Sequence, residues 1–178
     1  MNTTDYRSHI GRIIITQEEI NARISEVGKQ LSAEYSGKPL LLISVLNGAF
    51  VFMADLCRSL TIPCEIGFMC AKSYCGTEST GSVEITMDVS QDISKFHVII
   101  VEDIIDTGRT LSVLSRMLRD RQPLSFKIIT LLDKPSRRVV DLKPDIALFT
   151  IPDLFIIGYG LDFNGCYRNL PYISEYIQ

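Results

Sequence analysis

Residues 98–110 join an apolar segment to the start of a predicted helix, and they read Val98-Ile99-Ile100-Val101-Glu102-Asp103-Ile104-Ile105-Asp106-Thr107-Gly108-Arg109-Thr110. A run of branched apolar residues such as 98–101 is typical of a strand buried on both faces of a parallel sheet. Two carboxylates and then a Thr-Gly-Arg-Thr turn follow that strand. Ligands bind beyond the carboxyl ends of such strands, and the N–H groups at the start of a helix bind anions. The segment therefore predicts a site for a phosphorylated ligand.

Two other interpretations apply to the same segment. A Walker phosphate loop has the pattern GxxxxGK[ST], but Asp103 stands where its first glycine belongs and Arg109 replaces its lysine. The plainer alternative is a capped helix preceded by solvated acids. Adjacent carboxylates at Glu102 and Asp103 would repel a polyphosphate, whereas they accept hydrogen bonds from a vicinal diol. A sugar 5-phosphate satisfies both the acids and the anion-binding turn.

Outward from this segment, apolar runs alternate with amphipathic stretches. Thr16 and Glu19 form a capping-box pattern, and one apolar stripe at helical spacing follows it: Ile20, Ile24, Val27 and Leu31. We expect strands at 40–46, 65–71, 83–88, 97–101, 126–132, 146–151 and 154–159, and helices at 50–60 and 110–121. This alternation predicts an α/β domain with a mostly parallel twisted sheet flanked by helices. Strands 65–71 and 83–88 look like an appended flap, with a mobile loop at 73–81 between them.

Composition narrows the class of protein. The chain has 178 residues, of which 46% are hydrophobic and 22% charged, so we expect one globular domain over 1–178. The net charge of −3 argues against a nucleic-acid partner. The longest apolar run, 49–54, is far shorter than the roughly 18 residues that a membrane span needs. The five cysteines form no CxxC pair, so we expect reduced thiols, no zinc site and a cytoplasmic protein.

The segment VEDIIDTGRT resembles the phosphoribosyl-pyrophosphate (PRPP) loop of the type I phosphoribosyltransferases. The whole chain is similar to the hypoxanthine phosphoribosyltransferases of purine salvage, because further patches agree in order and approximate spacing over roughly residues 10–170. These patches are Leu46-Asn47-Gly48, Ser73-Tyr74, Leu131-Leu132-Asp133-Lys134, Ile151-Pro152-Asp153-Leu154-Phe155, Leu161-Asp162 and Arg168. The resemblance implies the type I phosphoribosyltransferase fold with a small hood, and a Mg²⁺-dependent glycosyltransferase. Such an enzyme would make IMP and pyrophosphate from hypoxanthine and PRPP, and use guanine as a second base.

The same resemblance implies a role for each matching residue. Glu102 and Asp103 would bind the ribose hydroxyls, and Asp106 would be the general base or acid at the purine N7. The 5-phosphate would be enclosed by Asp106, Thr107, Gly108, Arg109 and Thr110. Pyrophosphate would be held by Leu46, Asn47, Gly48 and Arg168, under a lid that begins at Ser73 and Tyr74. The purine would contact Lys134, Phe155, Ile156 and Asp162, and magnesium would be bound by Glu102, Asp103 and Asp162, mostly through substrate and water.

The sequence departs from the family pattern at two places, and other members of the superfamily offer alternative functions. Many relatives carry Lys-Gly-Gly where this chain has Asn47-Gly48-Ala49, and a lysine where Arg109 stands, which affects the phosphate contacts. A related enzyme acting on xanthine or a pyrimidine is a second hypothesis, although Lys134 and Phe155 argue against pyrimidines. An RNA-binding pyrimidine-operon attenuation regulator on the same scaffold is a third, but it usually carries a tyrosine at the position of Asp106. Relatives are dimers or tetramers, so the resemblance implies a homo-oligomer, with a homotetramer as one form.

Overall fold

The computed structural model describes residues 6–73 and 83–177. The helices are α1 (Gln17–Glu34), α2 (Phe50–Ser59) and α3 (Arg109–Asp120). The strands are β1 (Ile10–Ile15), β2 (Leu40–Leu46), β3 (Glu65–Ser73), β4 (Val83–Met87), β5 (His97–Ile105), β6 (Ser125–Asp133), β7 (Ile146–Thr150), β8 (Ile156–Ile157) and β9 (Ile173–Tyr176). Short 3₁₀ turns occur at Ile93–Lys95 and Pro135–Arg137.

Helix α1 begins at the predicted capping box. The Glu19 backbone N–H donates to Thr16 Oγ1 at 3.2 Å, and the Thr16 N–H donates to Glu19 Oε2 at 2.8 Å. These bonds satisfy donors that have no partner inside the helix. Its apolar stripe is buried against the sheet, as the spacing of Ile20, Ile24, Val27 and Leu31 predicts.

The larger sheet has the strand order β4-β3-β2-β5-β6-β7. Its pairs are parallel except β3 with β4, which is antiparallel. Successive residues of β2 point to opposite faces, so Leu40 and Leu42 pack with α1 and α2, whereas Leu41 and Ile43 pack with α3. Burial on both faces explains why β2 is apolar at nearly every position. The predicted mostly parallel α/β sheet is confirmed.

Strand β5 is longer than the predicted 97–101. Its pairing with β2 ends at Val101, but its pairing with β6 continues to Ile105, opposite Asp133. The pairing with β6 alone supplies the hydrogen bonds that keep the backbone extended. Glu102 and Asp103 therefore lie within the last residues of a strand, where their positions are set by the sheet.

The strands predicted as an appended flap are present as the antiparallel pair β3 and β4, which extends the larger sheet with β4 at its edge and forms no sheet of its own. The smaller sheet is built instead by β1, β9 and β8, in that order and with antiparallel pairing. Neither β1 nor β9 was predicted from the sequence. The nearest sequence signal was the apolar run Ile13-Ile14-Ile15, in which only Ile15 is buried. We name the segment from β8 to β9, together with β1, the hood.

The predicted strand at 154–159 is reduced to Ile156–Ile157. Gly158 and Tyr159 have φ values of 98° and 49°, so the chain turns there and cannot continue as a strand. The turn places the following glycine and Leu161 back toward the larger sheet. Among the described residues, no helix combines the length and the apolar character that crossing a membrane requires.

Candidate functional site

The end of β5 and the start of α3 enclose a cavity of about 140 Å³. It is lined by Glu102 and by residues 104–111. Gly108 has a φ of 78° at the cap of α3, a conformation that glycine adopts without steric cost. The first backbone N–H groups of a helix have no partner inside it, so the cavity presents donors to an anion. A larger cavity of about 420 Å³ lies behind this loop and is lined mainly by residues 140–144.

Two carboxylates lie side by side at the end of β5. Glu102 is 8% exposed, and burial together with the charge of Asp103 raises its pKa well above the ordinary value. Burial also raises the pKa of Asp103 to about 6, although the Ile104 N–H donates to its Oδ1 at 2.8 Å. Arg168 lowers this pKa and Asp162 raises it, so both charges lie near Asp103. A buried acid beside a half-buried one, both with raised pKa values, favours a ligand that supplies hydroxyl donors or a cation.

The loop between β2 and α2 approaches these acids through glycine. A Cβ on Gly48 would lie 1.5 Å from Asp103 Oδ2, so only glycine allows this approach. The Leu46–Asn47 peptide bond is cis. On the other side of the loop, a Cβ on Gly160 would lie 2.2 Å from the Gly48 carbonyl oxygen. The loop is thus held between β5 and the hood.

Arg168 and Asp162 extend this group of contacts into the hood. Arg168 Nη1 donates to the Gly160 carbonyl at 2.6 Å, and Nη2 lies 2.6 Å from Asp162 Oδ1. Asp162 Oδ2 also accepts the Gly165 N–H at 2.8 Å. The structure therefore brings Glu102, Asp103, Gly48, Asp162 and Arg168 to one side of the site.

A second group surrounds Asp106. Arg137 Nε lies 2.9 Å from Asp106 Oδ1, and Nη1 of the same arginine lies 3.4 Å from Asp153 Oδ2. Lys134 is 7% exposed, donates from Nζ to the Leu154 carbonyl, and lies 3.8 Å from Asp153 Oδ1. The two acids raise the pKa of Arg137, with Asp106 contributing most. This group links the end of β5, the end of β6 and the segment before β8.

Arg138 holds the turn after β5 in place from behind. Its Nε donates to the Asp106 carbonyl at 3.0 Å, and its Nη2 donates to the Ile105 carbonyl at 3.1 Å and pairs with Asp133. The Val139 N–H donates to the Thr107 carbonyl at 3.2 Å. Neither Arg137 nor Arg138 was predicted as a site residue. The available signal was a run of three cations, at 134, 137 and 138, beyond a strand that neighbours an acidic strand end.

Phe155 offers an exposed aromatic ring beside this group. It is 55% exposed, and its ring contacts Phe163 and Tyr176 edge-on at centroid distances of 5.7 and 5.6 Å. Ile156 is buried in β8 and pairs with Glu175 of β9. The Phe155 ring is thus fixed at its edge and open at the surface, an arrangement suited to stacking on a planar base. Tyr176 was not predicted to take part.

The residues predicted to begin the lid, Ser73 and Tyr74, are not part of the contacts described above. Ser73 is the last residue of β3, and Tyr74 lies outside the described residues. Thr107, Gly108, Arg109 and Thr110 all line the cavity, and Arg109 is also exposed to solvent. The described site therefore comprises the side with Glu102 and Asp103, the side with Asp106, and the Phe155 ring.

Comparison with known proteins places this arrangement in a family. The family model for the phosphoribosyl transferase domain matches residues 14–164. Hypoxanthine phosphoribosyltransferase of Salmonella typhimurium is 46% identical over 172 residues, which are 95% of this chain and 97% of that protein. Hypoxanthine-guanine phosphoribosyltransferase of Streptococcus pneumoniae is 46% identical over 166 residues, which are 93% of this chain and 92% of that protein.

A solved structure agrees with the sequence comparisons. The crystal structure of a hypoxanthine phosphoribosyltransferase from Staphylococcus aureus matches with a TM-score of 0.93 at 41% identity, covering 99% of this chain and 96% of its own. The similarity in sequence and in fold thus extends along nearly the whole chain, including both groups of site residues. The chain therefore belongs to the phosphoribosyl transferase family, in its hypoxanthine phosphoribosyltransferase branch.

Proposed function

We propose that this protein transfers the 5-phosphoribosyl group from PRPP to hypoxanthine, giving IMP and pyrophosphate, and to guanine, giving GMP. This is a purine salvage reaction carried by one phosphoribosyltransferase domain over residues 1–178. The observation that supports it most directly is one cavity lined by the buried acid Glu102 and by the anion-binding start of α3, with the half-buried Asp103 next to Glu102 in the strand. A sugar 5-phosphate complements both parts, because its diol supplies donors and its phosphate accepts them.

The acids and the turn would hold the sugar. Glu102 and Asp103 accept hydrogen bonds from the ribose 2- and 3-hydroxyls. The 5-phosphate accepts N–H and hydroxyl donors from residues 106–110. Asp106 lies between this turn and the base side, so its carboxylate takes or returns the N7 proton as N9 forms the bond to C1 of the ribose. General acid–base catalysis of this kind contributes about 10²–10⁴-fold to a rate.

The purine would lie between Lys134 and Phe155. The Lys134 ammonium donates to the 6-oxo group, and a 6-amino group, itself a donor, is disfavoured there. The exposed Phe155 ring stacks on the base, the Ile156 backbone lies at the base edge, and Asp162 approaches from the hood. On the other side, the Leu46-Asn47-Gly48 backbone and Arg168 hold pyrophosphate. A lid beginning at Ser73 and Tyr74 would exclude water from the reactive ribosyl carbon.

Magnesium fits the donor set of the site. Mg²⁺ prefers oxygen ligands and is often held through substrate phosphates and water with few protein ligands. Glu102 is buried, Asp103 is half-buried, and both have raised pKa values, so a nearby cation would stabilise their ionised forms. Asp162 lies close enough to affect Asp103. Among the described residues, no three His, Cys, Asp or Glu side chains form a metal-binding group, so substrate and water would supply most ligands. When bound, the ion would stabilise charge on the leaving pyrophosphate.

We also propose a homo-oligomer, a dimer or a tetramer, that works in the cytoplasm. Apolar side chains at the β3–β4 edge of the larger sheet support self-association, since Ile66, Phe68 and Met87 are 37%, 43% and 39% exposed. The described cysteines are free thiols, as expected in a reducing compartment. Light scattering coupled to size-exclusion chromatography measures the oligomeric state, and a monomer at micromolar concentration would contradict this part of the proposal.

The activity is tested by mixing the protein with PRPP and Mg²⁺ and offering hypoxanthine, guanine, xanthine, adenine and uracil separately. Mass spectrometry identifies the nucleotide products. We expect IMP and GMP, and little product from adenine or uracil. Absence of any nucleotide from a folded, Mg²⁺-replete sample would overturn the proposed reaction, and salt-sensitive RNA binding would then be measured.

The Asp106→Asn variant tests the role of Asp106 in the same assay. The substitution keeps the shape of the side chain but removes its ability to take a proton, so kcat should fall by about 10²-fold or more. Asp153→Asn is the matched control, because Asp153 shares the Arg137 contact without touching the turn. A kcat for Asp106→Asn equal to that of the parent protein would remove Asp106 from the chemistry.

A further inference from the structure

A partly buried hydrogen bond connects the hood to α2. The Tyr159 hydroxyl donates to Asp55 Oδ2 at 2.5 Å, and Tyr159 is 3% exposed. Burial and this bond raise the pKa of Tyr159 well above its ordinary value, so its hydroxyl remains a donor at neutral pH. The Tyr159 backbone has a φ of 49°, which is unfavourable for a bulky residue. The side chain is therefore held in this place despite a backbone conformation that other residues adopt more easily.

This bond closes a ring of contacts around the loop at 46–48. The next residue, Gly160, packs against the Gly48 carbonyl so closely that a Cβ would lie 2.2 Å from its oxygen. Gly160 exchanges hydrogen bonds with Arg168, accepting from Nη1 at 2.6 Å and donating its N–H to the Arg168 carbonyl at 3.0 Å. The loop itself leads directly into α2, which carries Asp55. These links form a closed path. It runs from the loop into α2, across the hydrogen bond from Asp55 to Tyr159, and through Gly160 back to the loop.

We propose that Tyr159 and Asp55 are positioning residues for the pyrophosphate side of the site, which rests on the function proposed above. Their bond holds Gly160 against Gly48 and thereby sets the distance between the loop backbone and Arg168. Without this hydrogen bond, Gly160 can move away from Gly48. The loop backbone and Arg168, which must bind the same pyrophosphate, then lose their relative position. On the base side, Lys134 and Arg137 each pair with Asp153, and Arg137 pairs with Asp106, so these ion pairs do not pass through Tyr159 or Asp55.

The test compares four variants of the full chain. Tyr159→Phe removes the hydroxyl, and Asp55→Ala removes the acceptor. Asp55→Asn is the conservative variant, because its amide oxygen still accepts from Tyr159. Arg58→Ala is the matched control, since Arg58 pairs with Asp55 from the exposed side of α2. For each protein, calorimetry measures the Kd of pyrophosphate with Mg²⁺, kinetics measure the KM of PRPP and of hypoxanthine, and a thermal melt measures stability.

Tyr159→Phe and Asp55→Ala should raise the Kd of pyrophosphate and the KM of PRPP about tenfold, the size expected for one hydrogen bond to a charged group. The KM of hypoxanthine should stay within about twofold, which is inside the spread of ordinary surface substitutions. Asp55→Asn should recover most of the pyrophosphate affinity, and Arg58→Ala should retain it. This selective loss separates positioning from general destabilisation, which would change both KM values.

An unchanged pyrophosphate Kd in Tyr159→Phe would overturn the inference. It would also be overturned if the KM of PRPP and the KM of hypoxanthine rose equally, in proportion to the fall in melting temperature. Parent protein that binds pyrophosphate but forms no nucleotide would overturn the proposed function alone, because the Kd comparison still decides the positioning role. Parent protein that neither binds pyrophosphate nor forms nucleotide would overturn both.

Discussion

At the scale of single residues, burial of Asp103 makes stability depend on pH. Its pKa is 3.8 in an unfolded chain and about 6 in the folded protein. Between these values the unfolded chain ionises while the folded protein does not, so the free energy of unfolding falls as pH rises from about 4 to about 6 and stays lower above that. The difference corresponds to at most about 3 kcal/mol. Glu102 acts in the same direction.

Asp103→Asn removes this ionisation, so the ligand-free variant should melt at a higher temperature than the parent protein at pH 7.5 and no higher at pH 4. The measurement is a thermal melt across this pH range. Asp141→Asn, an exposed acid, is the control and should leave the melting temperature unchanged at both pH values. A lower melting temperature for Asp103→Asn at pH 7.5 would contradict the argument.

Lys134 is the buried cation of the base side, and its removal should weaken 6-oxopurine binding. In Lys134→Ala the 6-oxo group loses its donor, at a cost of about 1–3 kcal/mol. Kinetics should therefore show the KM of hypoxanthine raised by about 5- to 150-fold. Lys143→Ala, an exposed lysine, serves as the control. Equal use of adenine and hypoxanthine by the parent protein would contradict the role of Lys134.

At the scale of elements, the site depends on how closely the loop at 46–48 approaches β5. Gly48→Ala places a methyl group 1.5 Å from the Asp103 carboxylate, so the loop or the acid must move. PRPP turnover should fall by about 10²-fold, as misplacement of a binding group by about 1 Å typically causes. The measurement is kcat/KM for PRPP.

Gly37→Ala is the matched control for this substitution. Gly37 follows α1, and a Cβ there would meet nothing within 4 Å, although its φ of 72° favours glycine. The Gly37→Ala substitution should lower the free energy of unfolding by about 1 kcal/mol and leave kcat/KM for PRPP unchanged. Equal activity losses in the two variants would show that Gly48 acts through stability alone.

At the scale of the whole molecule, substrate binding should stabilise the fold, because the site joins the larger sheet, the loop at 46–48 and the hood. PRPP with Mg²⁺ at 100 times its Kd adds about 2.7 kcal/mol to the free energy of unfolding. For a chain of this length the melting temperature should rise by about 5–10 °C. A thermal melt with and without PRPP measures this, and no rise at saturating PRPP would contradict binding at this site.

Local patterns in the sequence predicted much of the fold and of the site. A strand buried on both faces must be apolar at nearly every position, which is why β2 and β6 were predicted within two residues of their bounds. The capping box placed the start of α1, because its bonds join residues three positions apart. The sequence placed Glu102 and the turn before α3 at one cavity, since they are neighbours in the chain. The small sheet was missed, because it depends on the pairing of β1 and β9, two short strands from opposite ends of the chain.

The sequence by itself thus determined the α/β class, the acidic strand end beside an anion-binding turn, and the family to which both are similar. Only the tertiary structure decided which distant residues complete the site. Tyr159 and Asp55 are 104 positions apart, and Ser174 bonds to the Gly11 carbonyl across 163 positions. Arg137 faces Asp106, and Gly160 faces Gly48, only because parallel strands and the hood bring their ends together. Local propensity carries no information on such contacts, since they are made by packing between elements and not by neighbours along the chain.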